Sequence, residues 1–491
     1  MSNAPAILGL VALERRRGPL QAQLYQRLRE DILAGRLAPG TRLPASRAIA
    51  TDLGVARNTV VAALERLAHE GYVTARTGSG TRVAALPPEA LSTVRAPVRL
   101  PAEGGRPPRL ARRSARWLAT RRPVSDPTRP AFQPGFPAVD EFPHDVWARL
   151  VQRHARRPGK GTLGYAHAVG LPALRAAIVR YLTTARGVTC RPEQVFVVAG
   201  AQAGLDLICR LLLDPGDAVW VEEPGYLGAR GALVGAGAKL VPVPVDAEGL
   251  RVDVGAAKAP RARLAYTTPS HQFPLGATLS LSRRLALLEW AARAGAWIVE
   301  DDYDSEYRYG GRPIAAMQGL DAGGRVIYLG TFSKTMLPAL RVGYLIVPEA
   351  LIEPVTIAIR HTGHSVPVVV QAALADFVDE GHFATHVRRM RGLYAKRQAA
   401  LIAAIARLGG TRLVAEATDA GLQLAARLVD GTDDRALSAA LGTAGIVAPP
   451  LSAYHLGRPR VRGLLMGYAA VPEREIAAAV VTLGRVLERV R

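Results

Sequence analysis

Cysteine, lysine and long apolar runs are all scarce in this chain of 491 residues. The two cysteines, Cys190 and Cys209, are too few for a disulfide framework and lack the spacing of metal ligands, which favours a reducing compartment without a metal site. A secretory signal peptide is not expected in residues 1–20, where Arg15, Arg16 and Arg17 follow a short apolar stretch, and no later run approaches the roughly 18 apolar residues of a membrane span. We therefore expect a cytoplasmic protein that does not enter a membrane.

The chain has five lysines against 58 arginines, so each lysine needs a specific explanation. The lysines are Lys160, Lys239, Lys258, Lys334 and Lys396. A lysine that loses its proton attacks carbonyl groups, whereas the guanidinium of arginine stays protonated. Lys334 lies between Ser333 and Thr335, shortly after the apolar run 326–330, and is therefore the first candidate for such chemistry.

Positive charge dominates the chain, with a formal net charge of +22 and an isoelectric point near 10.7. Such a charge suits a polyanionic partner, but an arginine bias of the whole sequence has the same effect. The charge therefore leaves nucleic-acid binding open, and the position of the basic residues has to decide. The length and the 49% of apolar residues allow about three globular domains.

Three regions follow from the composition along the chain. A small unit of helices and strands is predicted over 18–86, an arginine- and proline-rich linker over 87–130 and a large body over 131–491. The linker has almost no periodic apolar pattern, so it cannot bury enough surface to fold alone. One apolar island within it, 115–118, is expected to dock on a neighbouring domain.

The body is predicted to be α/β. Short apolar runs alternate with amphipathic segments such as 281–294, which indicates a mostly parallel sheet covered by helices on both faces. The runs are 195–198, 218–221, 240–243, 264–266, 297–299 and 326–329. From about residue 350 the pattern becomes more helical, with strand-like pieces near 422–428 and 464–468. This pattern predicts a smaller C-terminal α+β domain over 350–491.

The first unit has the pattern of a winged helix. A first helix with apolar residues at Leu24, Leu28 and Ile32 is followed by a short helix that ends before Gly54 and by a second helix over about 56–70. Two helices joined by a glycine turn form a helix-turn-helix. Two short strands around a glycine-rich tip then predict a two-stranded wing.

Ten residues of this unit are predicted to bind DNA. Arg57, Asn58 and Thr59 occupy the first turn of the second helix, the end that enters a major groove, where arginine recognises guanine and asparagine recognises adenine. Contacts to the phosphate backbone of DNA are expected from three places: the loop before the short helix, the short helix itself and the wing. These residues are Arg42, Ser46, Arg47, Arg76, Gly78, Ser79 and Gly80. The alternative interpretation is a solvated face on a winged helix that binds protein.

The motifs 43–47 (LPASR), 57–60 (RNTV) and 71–73 (GYV) make this unit resemble the GntR-type winged helix-turn-helix of bacterial transcription regulators. The resemblance covers the whole unit and implies a double-stranded DNA operator as the partner. Ala45 departs from the serine that is common in that family.

Groups in the body match what pyridoxal phosphate requires of a protein: an amine, a carboxylate for the ring nitrogen, a donor for the ring oxygen and a phosphate site. Lys334 supplies the amine. Asp301 and Tyr303 follow a buried strand, at the sheet edge where ligands of open α/β sheets bind. Ser333 and Arg341 are the candidates for the phosphate.

Two further segments complete this set. Ala201 and Gln202 lie at a strand-to-helix junction, where main-chain N–H groups suit a phosphate, and Tyr226 is placed to stack on the ring. Each of these motifs also has an interpretation that involves no cofactor. A Ser-Lys pair, for example, is common in proteins. The acidic residues around 301–304 can equally cap or solvate a loop.

Over about 132–491 the body resembles the fold-type-I aminotransferases. The segments 268–274 (TPSHQFP) and 300–306 (EDDYDSE) resemble the MocR/GabR branch, in which such a body is fused to a GntR-type head. The resemblance implies that Lys334 forms a Schiff base with pyridoxal phosphate and that the residues named above hold its ring and phosphate. It also implies a homodimer in which Tyr165 reaches the phosphate bound by the partner subunit.

One departure from the aminotransferase pattern concerns the substrate carboxylate. Leu465 stands where an arginine usually binds that group, and a carboxylate left unpaired in a closed site is costly. Arg460 and Arg462 are alternatives, although neither is in register.

Two other departures lie near the ring. Phe273 replaces the asparagine that often precedes the motif proline, with His271 and Gln272 as alternatives for its role. Gly228 replaces the arginine of a Tyr-x-Arg pair found in GABA-sensing relatives, in which the tyrosine corresponds to Tyr226.

Three functions remain open from the sequence. The first is a transcription regulator whose body senses pyridoxal phosphate, or an amine or amino acid that reacts with it. The second is a working aminotransferase with a DNA-binding head, and the third is a DNA-binding protein with an empty body. Leu465 favours a sensor over a turnover enzyme, with pyridoxal phosphate itself or an amine without a carboxylate as the effector.

Overall fold

The computed structural model describes residues 13, 18–76, 80–85, 110–120, 131–159, 164, 167–310, 315–408 and 412–490. The chain divides into two compact units, which span 1–109 and 110–491. Each unit has a hydrophobic core of its own. None of the helices in the described ranges is long and apolar enough to cross a membrane.

Among its described residues, the first unit contains three helices and a two-stranded antiparallel sheet. Their bounds are α1 Leu20–Leu33, α2 Ser46–Asp52, α3 Arg57–His69, β1 Val73–Arg76 and β2 Gly80–Val83. The loop before α2 runs beside β2, because Leu43 N–H donates to the Thr81 carbonyl at 2.8 Å and Val83 N–H donates to the Thr41 carbonyl at 2.9 Å. The wing is therefore tied to the loop that leads into the helix-turn-helix.

The three helices bury one face each around a common core. Leu24 and Ile32 on α1, Ile49 on α2 and Leu67 on α3 are all buried in it, as their helical spacing requires. Gly54 turns the chain between α2 and α3 with a φ of +62°, a conformation that glycine adopts without strain. The helix-turn-helix and the wing predicted from the sequence are confirmed.

An eight-stranded sheet forms the centre of the second unit, as far as its residues are described. Its strands are β3 Val195–Val198, β4 Ala218–Glu223, β5 Lys239–Asp246, β6 Gly249–Leu250, β7 Leu264–Thr267, β8 Trp297–Asp302, β9 Val326–Thr331 and β10 Gly343–Ile346. The strand order is β3-β10-β9-β8-β7-β4-β5-β6. The neighbours from β9 to β5 are parallel, whereas β10 is antiparallel to β3 and β9, and β6 is antiparallel to β5. Several parallel strands therefore end at one edge of the sheet.

Helices cover both faces of this sheet. The helices of this part of the chain are α4 Arg112–Ala119, α5 His144–Arg156, α6 Pro172–Arg186, α7 Ala201–Leu212, α8 Leu227–Gly235, α9 Val252–Lys258 and α10 Leu281–Ala294, and α6 to α10 lie against the sheet. On β4, Val219 and Val221 pack with α7 and α8, whereas Trp220 between them stacks on Trp290 of α10 at a ring distance of 3.7 Å. Strands buried on both faces need continuous apolar runs, which explains the pattern of the sequence. The predicted α/β body is confirmed.

Helix α10 shows how local sequence sets an element. The Ser280 side chain accepts a hydrogen bond from Arg283 N–H at the first turn, and Gly295 ends the helix with a φ of +65°. Leu287 and Trp290 form its buried face. The observed bounds are those predicted from the sequence.

Helix α4 lies within the segment that the sequence analysis assigned to the linker. Its Trp117 ring packs over α8, where a Cβ added to Gly235 would lie 3.8 Å from the indole nitrogen. The glycines of α8 therefore leave room for the ring, although 56% of the Trp117 surface stays exposed. The apolar island does pack on the body.

The C-terminal part adds a three-stranded antiparallel sheet and further helices among its described residues. These elements are α11 Ile352–Thr362, α12 Val368–Asp379, α13 His382–Ala406, β11 Leu413–Ala415, β12 Gln423–Leu428, α14 Asp434–Thr443, β13 Gly463–Gly467 and α15 Glu473–Arg489. The start of the second unit joins this sheet, because Gly467 N–H donates to the Phe132 carbonyl at 2.7 Å. Residues near 133 therefore lie close to β12.

We expect Leu67→Ala to destabilise the first unit. Leu67 is completely buried in α3, and truncation of such a leucine costs about 2–5 kcal/mol. Hydrogen exchange of α1 to α3 in the full-length protein measures the loss as a lower free energy of opening. Leu33→Ala is the control, because 41% of Leu33 is exposed. Equal exchange in the two variants would contradict the assignment of this core.

Candidate functional site

One cavity of about 360 Å³ lies at the sheet edge where the parallel strands end. It collects eight of the nine predicted cofactor residues, from segments that follow β3, β4, β8 and β9 and precede β10. They are Ala201, Gln202, Tyr226, Asp301, Tyr303, Ser333, Lys334 and Arg341. Tyr165, the ninth, lies outside the described residues.

Asp301 presents a carboxylate with one paired oxygen and one unpaired oxygen. Its Oδ2 accepts a hydrogen bond from the Tyr266 hydroxyl at 2.5 Å, whereas the buried Oδ1 has no partner among the described residues. Burial raises the pKa of Asp301 to about 7. A buried acceptor of this kind calls for an N–H donor in the cavity, and a protonated pyridine nitrogen supplies one.

The neighbouring acids of β8 are held elsewhere. Glu300 accepts from the main-chain N–H groups of Met317 and Gln318, each at 2.8 Å. Asp302 pairs with Arg186 at 2.9 Å on the other side of the strand. Asp301, Asp302 and Asp304 are all buried, so the interpretation of these three as solvating a loop is wrong. Of the three, Asp301 is the one that lines the cavity.

Tyr303 lies in a short chain of polar groups. Its hydroxyl is 3.1 Å from His271 Nδ1, which is itself 2.9 Å from Asp304 Oδ2. Because a carboxylate accepts, the Nδ1 proton is directed to Asp304, which leaves the Tyr303 proton for an acceptor in the cavity. Burial raises the pKa of Tyr303 well above its usual value, so the hydroxyl stays a donor.

Lys334 reaches into the cavity from the segment after β9. Its Nζ donates a hydrogen bond to the Gly135 carbonyl at 2.7 Å. A Cβ added to Gly135 would lie 3.0 Å from that nitrogen, and the φ of +67° also favours glycine there. A larger residue at position 135 would therefore press on the amine.

The other end of the cavity offers donors for a phosphate. Ala201 and Gln202 begin α7, and the Arg341 guanidinium lies beside Gly200, 3.7 Å from the position that a Cβ would take there. The Gln202 side chain donates to the Gly228 carbonyl at 2.9 Å, which ties the start of α7 to α8. A helix N-terminus with an adjacent arginine and Ser333 suits a phosphate group.

These residues fit pyridoxal phosphate. Asp301 would hold the ring nitrogen, Tyr303 the ring oxygen, Tyr226 the ring face, and α7 with Arg341 the phosphate. When bound, the cofactor supplies a carbonyl carbon that amines attack and a ring that withdraws electrons from it.

Among the described lining residues, neither Arg460 nor Arg462 takes the place of the carboxylate arginine. Leu465 on β13 is completely buried and packs with Leu451 and Tyr454. Arg460 and Arg462 are exposed and do not line the cavity, so the sequence-based alternatives are wrong. A short apolar strand carries Leu465 and turns the flanking arginines to solvent.

Neither proposed replacement for the ring asparagine faces the cavity. Gln272 Nε2 donates to Glu222 at 3.1 Å and to the Pro224 carbonyl at 2.9 Å, and His271 is engaged with Asp304. Phe273 itself lines the cavity and packs against Tyr226. The wall beside the ring is therefore aromatic, and both predicted substitutes are wrong.

Several residues of the cavity wall were not predicted from the sequence. Tyr266 supports Asp301 from the adjacent strand, and Gln133, Gln423 and Tyr454 come from the C-terminal sheet and the segment that joins it. No motif marks these positions, because contacts between segments that are distant in the sequence bring them to the cavity.

The first unit presents a separate polar surface at the start of α3. Arg57 and Asn58 are exposed there, with Thr59 half-buried behind them. Arg57 Nε lies 3.4 Å from the Ser46 hydroxyl at the start of α2, and Arg47 is exposed on the same helix. The structure therefore brings together the residues predicted to contact bases and phosphates.

The wing is described in part. Arg42 is exposed and its guanidinium packs on Gly80, where a Cβ would lie 3.0 Å from Nε. The side chain of Arg76, and Gly78 and Ser79, lie outside the described residues, so their predicted DNA contacts stay predictions.

Comparison with known proteins agrees with both units. Residues 20–83 match the family model of bacterial regulatory proteins of the gntR family, and residues 138–483 match that of aminotransferases of class I and II. The second match covers more than half of the chain.

Full-length relatives have the same two parts. The probable rhizopine catabolism regulatory protein MocR of Rhizobium meliloti is 46% identical over 465 residues, which cover 95% of this chain and 93% of MocR. The chain belongs to the MocR-type transcription regulators. The pyridoxine biosynthesis transcriptional regulator PdxR of Corynebacterium glutamicum is 32% identical over 92% of this chain and 93% of PdxR.

A solved enzyme shares the fold of the regulator's body. The multiple substrate aminotransferase of Thermococcus profundus superposes with a TM-score of 0.69 at 28% identity, over 78% of this chain and 96% of the enzyme. The predicted fold, DNA-binding class and cofactor of this MocR-type regulator are thereby confirmed. Effector sensing and the roles of single residues stay predictions.

We expect Arg57→Ala to weaken binding of the regulator to DNA fragments that the wild type selects from a random pool. Loss of a bidentate base contact costs about 1–3 kcal/mol and relaxes the preference at one base pair. A titration at fixed salt measures both effects, with Arg293→Ala on α10 as the control. Unchanged affinity and preference would remove Arg57 from the DNA-reading surface.

We expect Asp301→Asn to change how stability depends on pH. The folded pKa of about 7 exceeds the unfolded value of about 3.9, so the stabilisation by this carboxyl is full below pH about 4 and is lost as pH rises through 7. Without cofactor, the melting temperature of the wild type should therefore fall relative to that of the variant between pH 4 and 8. Parallel curves would contradict a buried Asp301, and Asp214→Asn at an exposed position is the control.

Proposed function

We propose that this regulator binds operator DNA through the winged helix and senses pyridoxal phosphate, or an amine that reacts with it, in the cavity around Lys334. The proposal is based on the residues that line this cavity. The cavity has every group that the cofactor needs, but no cation is available for a substrate carboxylate among its described lining residues.

The cavity supports retention of a ligand more than turnover. Its lining cations are Lys334 beside Gly135 and Arg341 beside Gly200, where the phosphate is expected. The place of the aminotransferase arginine is filled by Leu465 within an apolar cluster. An amino acid would bury its carboxylate without a partner there, which is costly.

The residues around the amine also define what the protein does to a bound ligand. Gly135 holds the Lys334 nitrogen through its carbonyl, and Asp301 keeps a proton at the ring nitrogen of the cofactor. Phe273, Tyr226 and Tyr454 form an aromatic wall that excludes water from one side. These groups fix and shield an amine without supplying a carboxylate anchor.

DNA affinity changes only if the ligand binds two states of the regulator with different affinity. The arginine- and proline-rich segment between the units supplies the chain length for such states. A coupling of about 1–3 kcal/mol, which is typical of allosteric proteins, would change DNA affinity about 5- to 150-fold.

The second candidate function is transamination. The placement of Lys334, Asp301 and Tyr303 in one cavity favours it, because an amine, a carboxylate and a phenol around one ring are what pyridoxal phosphate chemistry requires. Multiple-turnover transfer from an amino acid to a keto acid would establish that function. We expect none.

We expect Lys334→Ala to abolish attachment of the cofactor. After loading with pyridoxal phosphate and reduction with borohydride, the intact mass of the wild type should rise by one cofactor, and that of the variant should not. Lys396→Ala, at an exposed lysine on α13, is the control and should behave as the wild type. Labelling of Lys334→Ala would place the reactive amine elsewhere.

We also propose a homodimer. Arg341 at the phosphate end of the cavity is exposed in the single chain, which leaves that end open to a second subunit. Sedimentation of the cofactor-loaded protein should give a dimer. A stable monomer with full cofactor occupancy would contradict this proposal.

A further inference from the structure

Two buried amide side chains in the cavity have oxygens without partners. Gln133 is 4% exposed and Gln423 is 2% exposed, and both line the cavity. The Oε1 atom of each is buried and accepts no hydrogen bond from the residues that the structure describes. Buried acceptors are normally satisfied, so two of them in one cavity wall indicate a ligand that donates hydrogen bonds.

One of these acceptors, the Gln423 oxygen, lies beside the reactive amine, and Gln133 lines the same cavity. A Cβ added to Gly135 would lie 3.0 Å from Lys334 Nζ and 3.6 Å from Gln423 Oε1, so the two atoms flank the same point. The Gly135 carbonyl, two residues after Gln133, accepts from the amine itself. A small ligand with its nitrogen near Lys334 therefore meets the Gln423 oxygen within its own length, in a cavity that Gln133 also lines.

The amide oxygens without partners in this wall favour a hydrogen-bond donor over a group that only accepts. The two amide oxygens and the Gly135 carbonyl carry negative partial charge, and Leu465 removes the usual positive partner. A carboxylate would face acceptors, whereas a hydroxyl group would donate to them. The remaining surface beside them, formed by Leu227, Val447 and Pro449, is apolar and suits a carbon skeleton.

We propose that the effector is a small hydroxylated amine without a carboxylate, whose hydroxyl groups donate to Gln133 and Gln423. The inference rests on the proposed function, because it assigns the ligand class of the same cavity. The amide oxygens select hydroxyl groups, and the absence of a cation at position 465 selects against amino acids.

Three probes with the same three-carbon skeleton and a 2-amino group test this assignment on the full-length protein loaded with pyridoxal phosphate. They are 2-amino-1,3-propanediol, serine, in which a carboxylate replaces one hydroxymethyl group, and 2-aminopropane, which has neither. Each is titrated while the absorbance of the bound cofactor is recorded. The diol should reach half-saturation at a concentration on the order of tenfold lower than either other probe, because it alone satisfies the amide oxygens without adding a charge.

Two variants assign the effect to the amides. Gln133→Met and Gln423→Met nearly preserve side-chain size but remove the carbonyl acceptor. Each should raise the half-saturation concentration of the diol roughly tenfold and leave that of 2-aminopropane unchanged. Gln152→Met, at an exposed site on α5, is the matched control. Retention of the cofactor absorbance shows that a variant is folded. If only one of the two variants folds, that variant alone tests the assignment.

Several results would overturn the inference. Serine binding as tightly as the diol, equal binding of the diol and 2-aminopropane, or variants that weaken both amines alike would each do so. If no probe changes the spectrum while the cofactor still attaches to Lys334, the ligand class is wrong but the cofactor site stands. If the cofactor does not attach at all, the proposed function itself fails.

Discussion

The buried carboxylate of Asp301 is the constraint on which the site depends. Burial raises its pKa to about 7, and Tyr266 pairs with only one of its oxygens, so the folded chain holds a group that is unfavourable without a partner. The parallel strands produce this position, because β8 ends beside β7 and β9 at the edge of the sheet. Neighbouring acids have other partners, which leaves Asp301 to meet the cofactor. The same edge delivers Lys334 from β9.

Much of this was predictable from local patterns. The helix-turn-helix followed from apolar spacing around Gly54, and the sheet followed from apolar runs buried on both faces. The position of Asp301 and Lys334 at strand ends followed from the same runs. Strand β10 was missed because Gly343–Ile346 is short and follows a loop. Gln133 and Gln423 were missed because contacts between segments that are distant in the sequence, which no local pattern records, bring them to the cavity.

The corrected positions change the interpretation of the cavity. His271, Gln272, Arg460 and Arg462 all point away from it, so the family's substrate contacts are not replaced by nearby polar residues. Aromatic, apolar and amide groups line the wall instead. The described cavity thus has groups that suit the cofactor, while Leu465 stands where the aminotransferase resemblance implies an arginine. Such a cavity suits recognition of a ligand by a DNA-binding regulator.

We propose that a ligand in the cavity changes the affinity of the regulator for DNA. Thermodynamic linkage requires that the ligand change DNA affinity by the same factor by which DNA changes ligand affinity. The most direct test is the affinity of the full-length protein for pyridoxal phosphate, measured with and without saturating amounts of a DNA fragment that it binds. We predict a change of at least about fivefold, matched by the reciprocal change in DNA affinity. Equal affinity for pyridoxal phosphate with and without DNA would show that the cavity and the DNA-binding unit are not coupled.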